Sequence, residues 1–303
     1  MLLYDPDQSK LERASQNIEE MDASLATELA EPTPKYGQLE CAYDLALLDQ
    51  DADLVLECIP EDLAAKVELF QLLSGAASRG TIFCSCTSGL SISDMGIRSG
   101  HPGQLVGTHF WSPPHLMPLV EVIGGASTGE NVIQLVIQFC RSIGKHPIRV
   151  NVDIPGFIGN RMLHALWREA IYIVERGIAS PEDVDTVAKL TFGLRQAVLG
   201  PLEHMDLAGL DLIHAIHGYL LADLADNHGP AELLKRMVED GKLGAKSGQG
   251  FYDWTQRNST AVIKERDRQV VRELRRLRTE GIRADNSLPQ PKQGPRSDGK
   301  ATD

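Results

Sequence analysis

Residues 53–60, DLVLECIP, form an apolar run bounded by polar residues, and this stretch decides the fold. A run of this length is typical of a strand that is buried on both faces of a sheet. Further runs of the same kind predict strands at 2–5 (LLYD), 81–86 (TIFCSC), 105–111 (LVGTHFW), 119–123 (LVEVI) and 146–150 (HPIRV).

Helical patterns separate several of these runs. They cover residues 7–29, which Pro32 and Pro34 end, and also residues 61–77 and 129–143. Strands that alternate with helices are typical of an α/β fold with a parallel, doubly wound sheet.

The pattern changes at residue 153, after which the chain is helical almost to its end. An apolar stripe of helical period starts at Ile158, and Ser180-Pro181 is a strong helix start with a serine cap and a proline in the first turn. We therefore expect three regions, namely an α/β domain at 1–151, a helical domain at 152–256, and a charged surface helix with a disordered tail at 257–303.

Composition narrows the classes of function. A formal net charge of −12 argues against binding to nucleic acid or to an anionic membrane. No apolar run approaches the roughly 20 residues of a membrane span, and no leader pattern opens the chain, so we expect a cytoplasmic protein. Five cysteines at irregular spacing do not form a disulfide framework. Cys84 and Cys86 could be a redox or metal pair, although burial as small apolar residues is the simpler interpretation.

Four polar residues stand where a catalytic site could form. His109 ends one predicted strand and Glu121 lies in the next, so the carboxylate could fix the imidazole tautomer and raise its basicity. Ser88 follows a strand end, where open α/β sheets bind ligands, and Asn160 lies near a helix start. Taken singly, each has an ordinary alternative: a structural histidine, a turn or capping serine, and a capping or surface asparagine.

Three stretches in this order resemble the NAD-dependent 3-hydroxyacyl-CoA dehydrogenase superfamily: SCTSGL at 85–90, HFWSPPHLMPLVEV at 109–122 and DIPGFIGNR at 153–161. The family patterns are S-N-T-S, H-F-x-N-P through to E-V, and D-x-P-G-F-x-x-N-R. Two further matches, at 200–211 and 242–254, extend the resemblance over residues 1–255. It implies a Rossmann-like NAD-binding domain, followed by an all-helical domain for substrate binding and dimerisation.

The resemblance also implies roles. His109, Glu121, Ser88 and Asn160 fall on the family's catalytic residues, with intervals of 21 and 12 residues between Ser88, His109 and Glu121. His109 would take the hydroxyl proton while a hydride leaves the same carbon for NAD, and Ser88 and Asn160 would hold the reacting oxygen. Other positions match cofactor contacts of the family: Asp5, Glu61, Lys66, Ser88, Ser112 and Lys246. No metal is implied.

Two departures from the family give further expectations. The chain starts one βα unit late and lacks the glycine-rich loop, so we expect weaker NAD binding and two strands without their shared partner. Ser112 replaces the usual asparagine, and the basic insertion that relatives use for coenzyme A phosphates is absent. This version is similar to members that act on small substrates, including the pyridoxine-degradation, carnitine and lambda-crystallin-type dehydrogenases.

Several readings of function stay open at this point. The first is oxidation of a 3-hydroxyacyl-CoA, as in fatty acid metabolism, and the second is the same chemistry on a small alcohol or hydroxy acid. A third is a truncated, non-catalytic paralogue that serves as a dimerisation partner. The apolar stretch at 210–225 is either core or a subunit interface, and the resemblance favours a homodimer.

Overall fold

The structure is a computed structural model, and it describes residues 1–29, 37–48, 52–77 and 80–279. The predicted break after the first helix and the predicted disordered tail lie outside the described residues. The described residues form seven strands: β1 (Leu2–Tyr4), β2 (Glu40–Ala42), β3 (Leu54–Glu57), β4 (Ile82–Ser85), β5 (Leu105–Phe110), β6 (Leu119–Gly124) and β7 (His146–Val150).

The described helices of the first half alternate with the strands, and those of the second half follow one another with no strand between them. The first set comprises α1 (Gln8–Leu29), α2 (Leu63–Leu72), α3 (Ser74–Ala77), α4 (Ile92–Ser99) and α5 (Glu130–Ser142). The second set comprises α6 (Gly159–Glu175), α7 (Pro181–Leu190), α8 (Phe192–Gln196), α9 (Pro201–Ala208), α10 (Leu210–Leu220), α11 (Glu232–Glu239) and α12 (Ser259–Thr279). The order agrees with the predicted α/β half and helical half.

The described strands form two separate sheets. A five-stranded sheet has the order β3-β4-β5-β6-β7, and a small sheet joins β1 to β2 in parallel. Strands β1 and β3 are therefore both edge strands, as expected for two strands that do not share a partner. The strands pair in parallel as predicted except at one place, where β5 pairs with β6 antiparallel. Only eight residues join these two strands, too few for a parallel crossover, which takes about a dozen or more.

The core lies on the two faces of the larger sheet. Phe70 and Leu73 of the α2 region pack against Phe83 of β4 and Ile92 of α4 on one face. On the other face, helix α5 supplies buried residues that pack on β4, β5 and β6. Cys84 belongs to this second cluster and is fully buried, as the simpler interpretation predicted.

Some elements differ from the sequence prediction. Strand β2 and helix α4 were not predicted, and the helix predicted at 61–77 is interrupted at Leu73. Most residues of helix α12 are exposed, while one side of the helix packs against α1 and buries Val271. Helices α6 to α11 contain no buried residue, so the helical half exposes much of its apolar surface.

Candidate functional site

The register of β5 and β6 places His109 directly opposite Glu121. The imidazole Nδ1 lies 2.7 Å from Oε2 of the carboxylate, and both side chains are buried, with exposed fractions of 5% and 1%. Side chains opposite each other on antiparallel strands lie on the same face, which explains why a spacing of 12 residues brings these two together. The pair exists because β6 turns back along β5.

Glu121 is held from its other side by the start of helix α6. Its Oε1 accepts hydrogen bonds from the backbone N–H groups of Ile158 at 2.9 Å and Gly159 at 3.0 Å. A carboxylate at a helix N-terminus satisfies free N–H groups and lies at the positive end of the helix dipole. Burial acts to raise the pKa of Glu121, but the hydrogen bonds from His109 and the two N–H groups outweigh it, so the pKa is lowered. Glu121 is therefore an anion that orients His109.

Aromatic side chains flank the imidazole. The Trp111 ring lies 5.1 Å from the His109 ring between centroids, and the Phe157 ring lies 5.9 Å from it. Phe157 is fully buried and has a positive φ of 50°, in the turn that leads from the first half to α6. At Gly159, an added Cβ would lie 2.1 Å from the indole of Trp111, so only glycine allows the indole to pack this closely against the helix start.

Ser88 and Asn160 meet where the two halves touch. The Asn160 side-chain N–H donates to the Ser88 carbonyl at 2.9 Å, and the Ser88 side chain is exposed. The backbone is tight here, because a Cβ on Gly89 would lie 2.8 Å from the backbone nitrogen of Gly156. These contacts bring the loop after β4 and the first turn of α6 together.

Glu61 joins two loops at the carboxyl edge of the sheet. Its Oε1 accepts hydrogen bonds from the Thr87 hydroxyl at 2.7 Å and the Ser88 N–H at 2.8 Å. The remaining surface of Glu61 is open, with 43% of its side chain exposed. The loop after β3 is thereby fixed to the loop after β4, and polar groups of both loops stay accessible.

Lys66 lies beneath these loops instead of at their surface. Its ammonium donates to Glu57 Oε1 at 2.7 Å and to the Ile59 carbonyl at 3.0 Å, and its side chain is only 1% exposed. Glu57 also accepts from the Ser85 hydroxyl at 2.6 Å. Lys66 therefore holds the loop after β3, and its direct contact with a cofactor stays a prediction.

The remaining predicted cofactor residues lie in different parts of the chain. Asp5 follows β1, where it accepts the N–H of Asp7 at 2.8 Å and lies 3.3 Å from the Lys10 ammonium. Ser112 is exposed after β5 and precedes a cis peptide bond to Pro113. The structure places Lys246 in a short 3-10 helix of the helical half, with its side chain exposed. Their roles in binding stay predictions.

Sequence reasoning missed several residues that build this site. Glu57 had a signal, since an acid inside an apolar strand requires a buried partner. Trp111, Phe157 and Gly159 had no local signal, because their contacts with His109 and with each other depend on the tertiary fold. Within the described part of the chain, no cluster of three or more histidine, cysteine or acidic side chains could hold a metal. None of the described helices is long and apolar enough to cross a bilayer.

Comparison with known proteins agrees with this geometry. Residues 1–154 match the model of the 3-hydroxyacyl-CoA dehydrogenase NAD binding domain, and residues 156–254 match that of the C-terminal domain. The chain is 35% identical over 272 residues to 5-formyl-3-hydroxy-2-methylpyridine 4-carboxylate 5-dehydrogenase of Mesorhizobium japonicum, covering 89% of the chain and 88% of that protein.

Two solved structures extend the comparison. One is a crystal structure of a 5-formyl-3-hydroxy-2-methylpyridine 4-carboxylic acid 5-dehydrogenase, described as an NAD+ dependent dismutase. Its TM-score is 0.84 at 34% identity, over 92% of this chain and 90% of that chain. The other is (S)-3-hydroxybutyryl-CoA dehydrogenase from Ralstonia eutropha, with a TM-score of 0.65 at 28% identity, over 84% and 89%.

Proposed function

Because the chain belongs to the 3-hydroxyacyl-CoA dehydrogenase family and is an NAD-dependent dehydrogenase, we propose that His109 is its general base and Glu121 the residue that orients it. The observation that carries the proposal is the buried pair, with Nδ1 of His109 2.7 Å from Glu121. An isolated structural histidine would not need an anion that is itself held by two backbone N–H groups.

The proton chemistry follows from this hydrogen bond. Neutral His109 donates its Nδ1 proton to Glu121, which leaves a lone pair on Nε2. Nε2 takes the proton of the substrate hydroxyl, and Glu121 stabilises the imidazolium that forms. NAD supplies the acceptor for the hydride that leaves the same carbon. The aromatic rings of Trp111 and Phe157 flank the imidazole and limit the access of water to it.

Ser88 and Asn160 are proposed to hold the reacting oxygen. One hydrogen of the Asn160 amide goes to the Ser88 carbonyl, so the amide is fixed and its second hydrogen can go to a ligand. The Ser88 hydroxyl is exposed beside it. Donors fixed in this way stabilise negative charge as it develops on oxygen.

The residues present fit an NAD cofactor. The Asp5 carboxylate, partly exposed at the carboxyl end of β1, can accept hydrogen bonds from ribose hydroxyls. Glu61 and Ser112 offer partly open polar side chains at the carboxyl ends of β3 and β5. Lys66 contributes by holding the loop that carries Glu61, and Lys246 would contribute from the helical half.

For the substrate, we propose a small, non-CoA alcohol or hydroxy acid. Support comes from Ser112 at the usual asparagine position, and from the aromatic rings beside His109, which suit a compact or planar molecule. The similarity to the pyridine carboxylate dehydrogenase, which extends over nearly all of both proteins, favours the same choice. A 3-hydroxyacyl-CoA, and with it a role in fatty acid metabolism, is the second candidate because the family models carry that name.

The test compares both substrate classes in one assay. NADH formation is followed with 3-hydroxybutyryl-CoA and with small pyridine and aliphatic alcohols, for the wild type, His109→Gln and the surface control His146→Gln. We expect a higher kcat/KM with a small alcohol, loss of activity in His109→Gln, and full activity in His146→Gln. Preference for the CoA ester would overturn the substrate proposal, and an active His109→Gln variant would overturn the proposed base.

We also propose a homodimer that forms through the helical half, in a cytoplasmic enzyme. Four leucines on α9 and α10 are highly exposed: Leu202 at 72%, Leu207 at 76%, Leu210 at 61% and Leu212 at 52%. Apolar surface of this extent normally lies against a partner. Light scattering after size exclusion should give twice the mass of the chain, and Leu207→Lys should reduce it. A monomeric wild type would contradict the proposal.

A further inference from the structure

Two cysteines lie side by side where β3 and β4 end. Cys58 follows β3 and Cys86 follows β4, and the two strands pair in parallel up to Glu57 and Ser85. The Cys86 N–H donates to the Glu57 carbonyl at 2.9 Å, so the ladder continues for one more residue. The two sulfur atoms lie 3.5 Å apart. Neighbouring strands are about 4.8 Å apart, which falls within the Cα separation of about 4.4–6.8 Å that a disulfide can bridge.

The two thiols are not equivalent. Cys58 is exposed and Cys86 is half-buried. The hydrogen bond between the two thiols lowers the pKa of Cys58, with help from Lys66 and against the effects of burial and Glu57. The same hydrogen bond, together with burial, raises the pKa of Cys86. Cys58 is therefore the more reactive nucleophile, and Cys86 is in position to attack it after oxidation.

The other cysteines lack this arrangement. Cys84 and Cys140 are fully buried in the core, where burial raises the pKa of both thiols, that of Cys140 to about 11. Cys41 is half-buried, with its sulfur 3.7 Å from the Leu11 carbonyl oxygen. Among the five cysteines, Cys58 therefore combines an exposed thiol with direct contact to a second thiol, that of Cys86.

We propose that Cys58 and Cys86 are a redox site, which a hydroperoxide converts into a disulfide at the edge of the candidate cofactor site. The Cys58 thiolate attacks one peroxide oxygen, the O–O bond breaks, and the other oxygen leaves as water, or as an alcohol, after taking up a proton. Cys58 is then a sulfenic acid. The Cys86 sulfur attacks it, the S–S bond forms, and the hydroxide that leaves takes the Cys86 proton as water. Two thiols lose two electrons, and the hydroperoxide gains them.

The disulfide would act on residues that bind ligands. Closing it brings the sulfur atoms from 3.5 Å to about 2.05 Å. Cys58 and Cys86 each begin a loop, and these loops carry Glu61 and Ser88, which already bond to each other. We expect the oxidised enzyme to bind NADH more weakly, and bound cofactor to slow the oxidation. This second part rests on the proposed function.

The chemical part is tested without any activity assay. Reduced full-length protein is treated with stoichiometric hydrogen peroxide, digested under non-reducing conditions and analysed by mass spectrometry. The wild type should yield a peptide containing Cys58 joined to one containing Cys86, lighter by two hydrogens and separated again by dithiothreitol. Cys58→Ser and Cys86→Ser should lose the cross-link, and Cys41→Ser should keep it. A cross-link that persists in Cys58→Ser, or sulfinic acid at Cys58 without a cross-link, would overturn the proposal.

The cofactor part uses the same samples. NAD+ at saturating concentration should slow the cross-link, and NADH titration of the oxidised protein should give a raised Kd that dithiothreitol restores. Suppose that the protein binds NAD+, but that NAD+ does not slow the cross-link and oxidation does not change the NADH Kd. This result would refute the location of the cysteine pair beside the cofactor. If reduced protein binds no NADH while the cross-link forms, the proposed cofactor site fails and the redox site stands.

Discussion

Replacing Glu121 with glutamine tests the proposed base without changing side-chain volume. The amide oxygen of glutamine can still accept the N–H groups of Ile158 and Gly159, so the start of α6 keeps its partners. The amide NH2 then faces Nδ1 of His109, where the carboxylate now lies at 2.7 Å. A donor would face a donor unless the imidazole moves its proton to Nε2. In that tautomer, Nε2 can no longer accept the substrate proton.

The expected loss is large because a positioned base contributes about 10²–10⁴-fold to rate. We expect Glu121→Gln to lower kcat/KM by about 10²–10³-fold at pH 7. The pH profile of kcat/KM should also change, because the carboxylate that now accepts the Nδ1 hydrogen bond is gone. NADH affinity should stay near the wild-type value, because Glu121 is bonded to His109 and to α6.

Stability gives a second, independent readout of the same substitution. Glu121 has a lowered pKa in the folded protein, from an ordinary value of 4.5. Its contribution to stability is therefore fully present above about pH 4.5 and is lost as the pH falls through the lower, folded pKa. The free energy of unfolding should fall by about 1–3 kcal/mol in Glu121→Gln at pH 7. The difference between variant and wild type should narrow in acid.

The assay combines NADH formation across pH with urea unfolding of the wild type, Glu121→Gln and Glu130→Gln. Glu130 is a matched control, since it pairs with Arg149 on the surface and not with the site. Its substitution should leave both the free energy of unfolding and kcat/KM close to the wild-type values, because exposed ion pairs contribute little to stability. If Glu121→Gln keeps kcat/KM within twofold of the wild type, with an unchanged pH profile, the proposed role of the pair is refuted.

Three further substitutions test other contacts. Gly159→Ala should lower the free energy of unfolding in urea by about 1–3 kcal/mol, because the Trp111 indole that packs against Gly159 must move. The control Gly218→Ala has open space around the added methyl group and should cause no such loss. Equal losses in the two variants would contradict the packing argument. Lys66→Met should lower the free energy of unfolding by about 3–5 kcal/mol, because it leaves the buried Glu57 carboxylate without a cation. The double variant Lys66→Met/Glu57→Leu should regain much of this stability. If it does not, the broken ion pair is not the cause of the loss. Asp5→Asn should raise the NADH Kd about 10- to 100-fold, measured by nicotinamide fluorescence, and an unchanged Kd would remove Asp5 from the cofactor site.

Strands with a strong apolar run could be predicted from sequence, and the others could not. The runs at 81–86 and 105–111 gave β4 and β5 within a residue or two. Strand β2 (Glu40–Ala42) has only three residues and an exposed acid, and it forms because β1 pairs with it. Its partner is far away in sequence, so no local pattern marks it.

Two missed features did have a sequence signal. Helix α4 (Ile92–Ser99) begins with the Ser91 side chain as its cap and ends at Gly100 with φ of 84°, which is an ordinary start and stop. The eight residues between β5 and β6 were too few for a parallel crossover. The antiparallel pairing of these two strands could have been predicted from that length alone.

The site was predicted in part because the resemblance supplied its residues. The spacing of His109 and Glu121 alone did not distinguish catalytic residues from ordinary structural ones. Their contact depends on the antiparallel register of β5 and β6. The contact between Cys58 and Cys86 depends in the same way on the register of β3 and β4. The sequence suggested that Cys86 is either a buried small residue or a pair with Cys84, whereas the fold places its sulfur beside that of Cys58.

The small β1–β2 sheet has a consequence for local opening. Three residue pairs join its two strands, which is below what a sheet needs for stability by itself. Helix α1 contacts it at the Cys41 sulfur, 3.7 Å from the Leu11 carbonyl oxygen, and α1 also packs against α12. Amide protons of this sheet should therefore exchange with solvent through local unfolding, well before those of β4 and β5. A cofactor that binds Asp5 would stabilise this segment by mass action, so NAD should protect its amides from exchange more than those of the core.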